Sequence, residues 1–265
     1  MLKVLSLGVG VQSTTLALMS ARGDLPRVDM AIFADTGWEA GRTYDYLAWL
    51  EGQLPFPVRR VTRDGPNLGE LMMDVSAGRR GRAGAPMMPF FTANPKGMTP
   101  KHCSKEFKVR PIGREVRRLL GIEPRRRGPR GIAVEQWIGI SIDEQDRMKD
   151  SEQPFVRNRW PLCELKMRRE NCVEWLEARQ LRLPPRSSCV VCPYRPDAEW
   201  LDMRDNDPQS FARAADFDVR IRSVVPEGEA YLHRQRVPLV DVQFKRPDGT
   251  VEHGFRQECD AVCGL

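Results

Sequence analysis

No apolar run in this 265-residue chain approaches the roughly 18 residues that a membrane-spanning helix needs, so no membrane segment is expected. No Gly-Lys-Ser/Thr triplet follows the first glycine turn, which excludes a Walker phosphate loop. That turn also lacks the third glycine of a dinucleotide fingerprint, because Ser13 stands there. Aromatic residues do not interleave with the basic runs, so no stacking motif for nucleic acid accompanies them. Internal repeats are absent. The first strand begins at once, leaving no room for a signal peptide, and the cytosol is the expected compartment.

Acidic residues are the minority charge: 36 Asp and Glu face 42 Lys and Arg, for a net charge of +6. The excess gathers in Arg79-Arg80-Gly81-Arg82, in Arg125-Arg126-Arg127-Gly128-Pro129-Arg130 and in Arg168-Arg169. Such runs are either solvated loops or grips for a polyanion, a nucleotide or nucleic acid. A hydrophobic fraction of 41% is enough for a core.

What is present starts with Leu2–Ser20. A buried strand over Leu2–Leu7 breaks at Gly8-Val9-Gly10, and Ser13-Thr14-Thr15 opens a helix. Strand, glycine turn and helix N-terminus together suit a phosphate, with Ser6, Ser13 and Thr14 hydroxyls as further donors. A second strand over Val28–Ala34 ends at Asp35-Thr36-Gly37, where a carboxylate beside the glycine turn suits a ribose, an amine or hydrated Mg²⁺, or caps the next helix. A helix over Thr43–Gln53 and a strand over Val58–Thr62 follow. Residues 64–99 read as an irregular lid. Cations then surround Cys103, with Lys101, Lys105, Lys108 and Arg110 close in sequence, and positive charge favours a thiolate. Arg114–Leu120 reads as a helix and Ala133–Ile142 as a strand carrying Gly139-Ile140 toward Glu144 and Arg147. Beyond an extended Arg159–Leu162, a helix over Lys166–Arg179 bears Cys172. Ala198–Val225 is expected to be helical, and Val237–Phe244 with Thr250–Phe255 a β-hairpin.

Seven cysteines in a chain expected in the cytosol point to metal or redox chemistry rather than disulfides. Cys189-Val190-Val191-Cys192-Pro193 offers two thiolates on one turn. With Cys172 and the tail residues Cys259 and Cys263, it suits a 4Fe–4S cluster or a structural Zn²⁺ site. Cys259 is the expected fourth ligand ahead of Cys263, with Cys103 third in order.

Several separated stretches, taken together, resemble the PP-loop ATP-pyrophosphatase superfamily, and within it the phosphoadenosine-phosphosulfate reductase-like proteins. The glycine turn Ser6…Gly8-Val9-Gly10-Val11-Gln12-Ser13, the Asp35-Thr36-Gly37 turn, the Cys103-Ser104…Lys108…Pro111 stretch and Gly139-Ile140…Glu144 stand in the family's order. Three positions depart from it. Val9 replaces a glycine, Gln12 an aspartate, and Ser141 an arginine whose place Arg147 would take. The resemblance implies an α/β fold: a Rossmann-like, adenine nucleotide alpha hydrolase-like parallel sheet flanked by helices, with a C-terminal cysteine-rich helical and hairpin region. It implies a nucleotide-binding domain over 1–165 and a cluster-binding region over 166–265 packed on it. Ser6, Gly8, Gly10, Gln12, Ser13, Asp35, Thr36, Gly139, Ile140 and Glu144 would hold ATP and Mg²⁺. Cys103, Lys108 and Arg147 would act on the substrate. The implied activity is ATP-dependent sulfur transfer to a nucleic acid or small molecule, supplied by a sulfur or electron donor. The alternatives are reduction of an activated sulfate by a tail cysteine, and nucleotide binding without catalysis.

Overall fold

The computed structural model describes residues 1–76, 87–94, 96–225 and 228–245. Its frame is five parallel strands: β1 (Leu2–Ser6), β2 (Met30–Asp35), β3 (Val58–Thr62), β6 (Val134–Ile138) and β7 (Val156–Arg159), in the order β3-β2-β1-β6-β7. This is an α/β doubly wound sheet. Strand order reverses direction between β1 and β6, and a crevice opens there at the carboxyl ends.

Alternation along the strands separates two apolar layers. Leu5, Phe33 and Trp137 face helices α1 (Val11–Arg22), α2 (Gly41–Glu51) and α6 (Arg169–Glu177), meeting Leu16, Tyr46, Leu47 and Leu176. Val4, Ile32 and Val134 face the other way, onto Ile112 and Val116 of α4 (Arg110–Leu119). The period of two in a strand puts Val4 and Leu5 in different cores. A third cluster joins Trp38, Leu68 and Phe107 to Val190, Trp200 and Phe217. It is contributed in part by α3 (Leu68–Ser76), α7 (Asp197–Asn206) and α8 (Pro208–Arg220). The first and third clusters both draw on residues from either side of position 165.

The strand expected over Ala133–Ile142 ends at Ile138, and Ile142 opens a 3₁₀ turn; four further places differ from the sequence pattern. The stretch after Asp64, expected to be irregular, contains α3 and an antiparallel pair, β4 (Phe91–Thr92) with β5 (Gly97–Met98), extended by β8 (Ala230–Tyr231). Arg159–Leu162 is extended only as far as Arg159. Pro161 then opens a short helix, α5 (Pro161–Glu164), since a proline at the first helical position loses no hydrogen bond. The helix expected from Arg114 begins earlier, with a π-turn over Lys105–Val109 leading into α4. Val237–Phe244 is not a hairpin strand. Its backbone bonds to a carboxylate instead: the fully buried Asp218 accepts the amides of Leu232 (2.7 Å) and Leu239 (3.1 Å), and Leu239–Asp241 forms a 3₁₀ turn. The partner stretch Thr250–Phe255 lies outside the described residues, as do Arg79, Arg80, Arg82, Cys259 and Cys263.

Among the described residues no helix is long and apolar enough to cross a membrane. The Arg125–Arg130 run sits in the loop entering β6, at the amino edge of the parallel sheet and so opposite the crevice.

Candidate nucleotide crevice and thiol pocket

The carboxyl ends of β1 and β6 form the crevice. Gly10 is the N-cap of α1, with no side-chain cap and no acidic residue in the first turn. The first amides of any helix lack intrahelical acceptors, so this end presents donors and positive potential. The left-handed position of the turn belongs to Val9 (φ 61°), wholly buried, and not to either glycine. A branched residue there is strained by roughly 1–3 kcal/mol, which the surrounding core must offset. Gly139 is required by close approach: a Cβ would stand 2.8 Å from the Ser13 amide nitrogen.

The Ser6 and Ser13 hydroxyls and the Gln12 amide at this edge are committed to the protein. Ser13 Oγ accepts from the Gly8 amide (3.2 Å) and donates to the Gly10 carbonyl (3.3 Å), bracing the turn from inside. Ser6 Oγ accepts from Gln136 Nε2 (2.9 Å) within the sheet. Gln12, 2% exposed, donates to Ser141 Oγ (3.0 Å) and Glu144, and accepts from Arg169 Nη1 (2.9 Å). Arg147 pairs with Glu144. Gln12, Glu144, Arg147 and Arg169 thus form one latch between the start of α1 and the segment after β6. Ile140 is buried, and its carbonyl accepts from Cys163 Sγ (3.3 Å). Burial pushes the Cys163 thiol up, with Asp143, Glu144 and Glu164 adding to the effect.

At the end of β2, Asp35 Oδ1 accepts from the Gly37 amide (2.7 Å) and the Tyr44 hydroxyl (2.8 Å). Tyr44 is pushed far up by its own burial, then by that bond to Asp35. Gly37 turns the chain at φ 74°. Thr36, 3% exposed, donates to Glu39 Oε1 (3.0 Å), and its hydroxyl lies 3.3 Å from Cys189 Sγ.

Thr36 also lines a pocket. Its thiols are Cys103, Cys189 and Cys192; its cations are Lys101 and Lys108; Ser104 and Tyr194 complete the polar wall, and Leu68, Met88, Pro89 and Pro193 the apolar one. The expected grouping of cysteines is therefore corrected. Cys172 does not line this pocket. It is wholly buried on α6 in the core with Leu16 and Leu176, and its carbonyl accepts from Thr15 of α1. Cys103 takes the place beside the Cys189–Cys192 pair. Among the described residues no group of three or more His, Cys, Asp or Glu side chains is arranged to hold a metal ion. Cys259 and Cys263, the expected tail ligands, lie outside the described residues, and Cys172 does not share the pocket of the Cys189–Cys192 pair.

Segment 186–195 carries the thiol pair across both sites. Ser187 Oγ donates to the Gly8 carbonyl, the Val190 amide to the Trp38 carbonyl (2.8 Å), and Cys189 bridges to Glu39 in antiparallel fashion. Two buried arginines hold the segment. Arg186 and Arg195 share Glu199, and Arg195 Nη2 also donates to Ser188 Oγ (2.9 Å) and the Cys189 carbonyl (3.2 Å). Burial lowers Arg195 and raises Glu199, outweighing their mutual attraction. Lys101 and Ser104 were named in the sequence only as neighbours of Cys103, and Glu39, Arg186 and Arg195 were given no site role there. For Lys101 and Ser104 the signal was their place in the cationic stretch around Cys103.

No family model matches the sequence, and no curated protein matches it. Among solved structures, the chain is similar to a phosphoadenylyl-sulfate (PAPS) reductase from Candida auris in its phosphate complex. The TM-score is 0.44 and the identity 14%, over 69% of this chain and 74% of that one.

Proposed function

We propose that this chain is a nucleotide-dependent enzyme of sulfur chemistry, of the PP-loop, phosphoadenosine-phosphosulfate reductase-like type. ATP binds in the β1–β6 crevice and activates an acceptor by adenylylation with release of pyrophosphate; the outer sulfur of a cysteine persulfide in the adjoining pocket then displaces AMP, and a second pocket thiol resolves the mixed disulfide. The observation behind this reading is segment 186–195, which touches Gly8 at one end and brings Cys189 and Cys192 to Thr36 at the other. The glycine turn and the two thiols thereby lie along one sheet edge, which supports this reading.

The α1 N-terminus binds phosphate through backbone amides and the helix dipole. Arg147 and Arg169 supply fixed positive charge where the transferring phosphorus becomes more anionic. Asp35 Oδ2 accepts no hydrogen bond among the described residues, so Asp35 and Glu144 are the carboxylates that would hold Mg²⁺ with the triphosphate. That ion supplies neutralisation of phosphate charge. The acceptor is a nucleic acid or a small molecule. Calorimetry with ATP and Mg²⁺ tests the crevice: Gly10→Val, at an ordinary extended backbone position (φ −88°), keeps the fold and obstructs the amides. Affinity should fall by about tenfold or more, the loss of roughly one good interaction. Equal affinity places the nucleotide elsewhere. ATP–pyrophosphate exchange with candidate acceptors then separates adenylylation from sulfite release out of phosphoadenosine phosphosulfate, which marks the reductase class.

A further inference from the structure

We infer that the thiol pocket is the sulfur-donor site of this enzyme, and that its donor is a sulfane sulfur carried on a sulfonate, as in thiosulfate. This rests on the sulfur-transfer reading above and names the donor that reading leaves open.

The pocket has two kinds of wall. One is soft: Cys103, Cys189 and Cys192 come from two distant segments and line a single space. The other is hard and cationic. Lys101 Nζ and Ser104 Oγ are both shielded from solvent, and neither has a hydrogen-bond partner among the described residues. Lys101 lies over the Tyr194 ring at 5.3 Å, a contact that holds an ammonium without using its hydrogen-bond donors. Donors left in this state cost free energy until an acceptor arrives. Lys108, 6% exposed, adds a second cation. The ligand that satisfies both walls carries oxyanion charge for Lys101, Lys108 and Ser104 and an electrophilic sulfur for a thiolate. Apart from Thr36, the pocket lining is distinct from the residues expected to hold ATP, so this anion is separate from the triphosphate.

Cys103 is the attacking thiol. It shares the cationic wall with Lys101 and Ser104, whereas Cys189 Sγ points to the Glu39 carboxylate (3.8 Å), which repels an anion. The Cys103 thiolate forms a bond to the sulfane sulfur, and the bond between that sulfur and the sulfonate sulfur breaks. Sulfite departs with the bonding pair, and Cys103 keeps a persulfide. Thiolate plus the thiosulfate dianion give persulfide anion plus the sulfite dianion, so charge and electrons balance without any outside oxidant or reductant. Cys189 and Cys192 line the same space and can take the outer sulfur by the same exchange.

The test uses the full chain, prepared anaerobically, with thiosulfate alone. Sulfite should appear in a stoichiometric burst, and mass mapping should find one added sulfur atom on the peptide containing Cys103. Cys103→Ser should abolish both and still bind ATP. Lys101→Met should raise the half-saturating thiosulfate concentration by about tenfold or more, as expected on losing a desolvated charge partner, while Lys101→Arg restores most of it. Four results overturn the inference: no burst, sulfur mapped to another cysteine, sulfite released only from phosphoadenosine phosphosulfate, or thiols that react only after iron is removed from an iron-replete preparation. Mapping on the unaltered chain needs no variant to fold. ATP calorimetry on the same sample shows separately whether the nucleotide reading has failed.

Discussion

The crevice between β1 and β6 and the pocket over β2 share a sheet edge but are prepared for ligands in opposite ways. In the crevice, Gln12 is already paired with Ser141, Glu144 and Arg169, and Glu144 with Arg147. A ligand there must exchange existing bonds for new ones, and the gain is the difference. In the pocket, Lys101 and Ser104 hold donors that nothing in the described protein uses. A ligand there relieves a cost already present in the empty fold. The lesson is that burial alone does not mark a binding site; the satisfaction of the buried groups distinguishes a latch from a receptor.

The largest expected effect comes from cutting the support of the pocket. Glu199→Gln leaves Arg186 and Arg195 as two buried cations without their shared carboxylate. Removing one member of a buried ion pair typically costs about 3–5 kcal/mol. Urea unfolding should show that loss, with thiosulfate reactivity lost alongside it. A loss under about 1 kcal/mol, the value of an exposed pair, would mean that the pocket floor is far more hydrated than its burial implies.

A smaller effect should fall on the crevice alone. Gly139→Ala sets a methyl group 2.8 Å from the Ser13 amide nitrogen, against backbone. Overpacking of this kind costs about 1–3 kcal/mol. ATP affinity should drop while Cys103 keeps its reactivity. If both fall together, the two sites are one.

Next comes the arginine run. Mutating Arg125, Arg126 and Arg127 to alanine should lower the salt dependence of any nucleic-acid binding, by about 0.7–0.9 in log–log slope per phosphate contact removed. ATP affinity should be unchanged, because the run lies at the far edge of the sheet. Altered ATP affinity would contradict that placement.

The smallest effect is a control distant from both regions. The hydrogen bond from Arg118 holds the Glu115 carboxyl below its ordinary value near 4.5, against some desolvation. A carboxyl depressed in the folded state contributes stability above its unfolded value and loses it as pH falls through the folded one. Melting temperature should therefore fall more steeply below pH 4.5 in the unaltered chain than in Glu115→Gln. Equal slopes would show that the exposed Arg118 is screened by solvent.

Much of this was legible in the sequence. The strand–turn–helix at Leu2–Arg22, the Asp35-Thr36-Gly37 turn and Gly139 at a strand end follow from local pattern, and local pattern survives folding. The cysteine grouping did not, for a physical reason. Cys172 is spaced like a ligand, but its position on α6 turns it toward α1, where apolar neighbours take it into the core. Cys103 lies far from Cys189 in sequence, and both pack against the third cluster, which contains Phe107, Val190 and Trp200. Val9 also escaped a reading based on glycine, since a buried branched side chain can hold a left-handed backbone when its packing offsets the strain. The 3₁₀ turn at Leu239 was hidden because its backbone partner is Asp218, a side chain no periodicity reveals.

Segment 186–195 has a consequence for how the chain comes into being. The contact from Ser187 to Gly8 closes a loop of 179 residues, and that from Cys189 to Thr36 one of 153. Contacts of such sequence separation form slowly, after local structure has paid its entropy. During synthesis, the first strand, its turn and the following helix emerge long before the segment that completes them. The sheet can therefore be ordered before Cys189 and Cys192 reach the ends of β1 and β2, and their arrival is one of the last acts of folding.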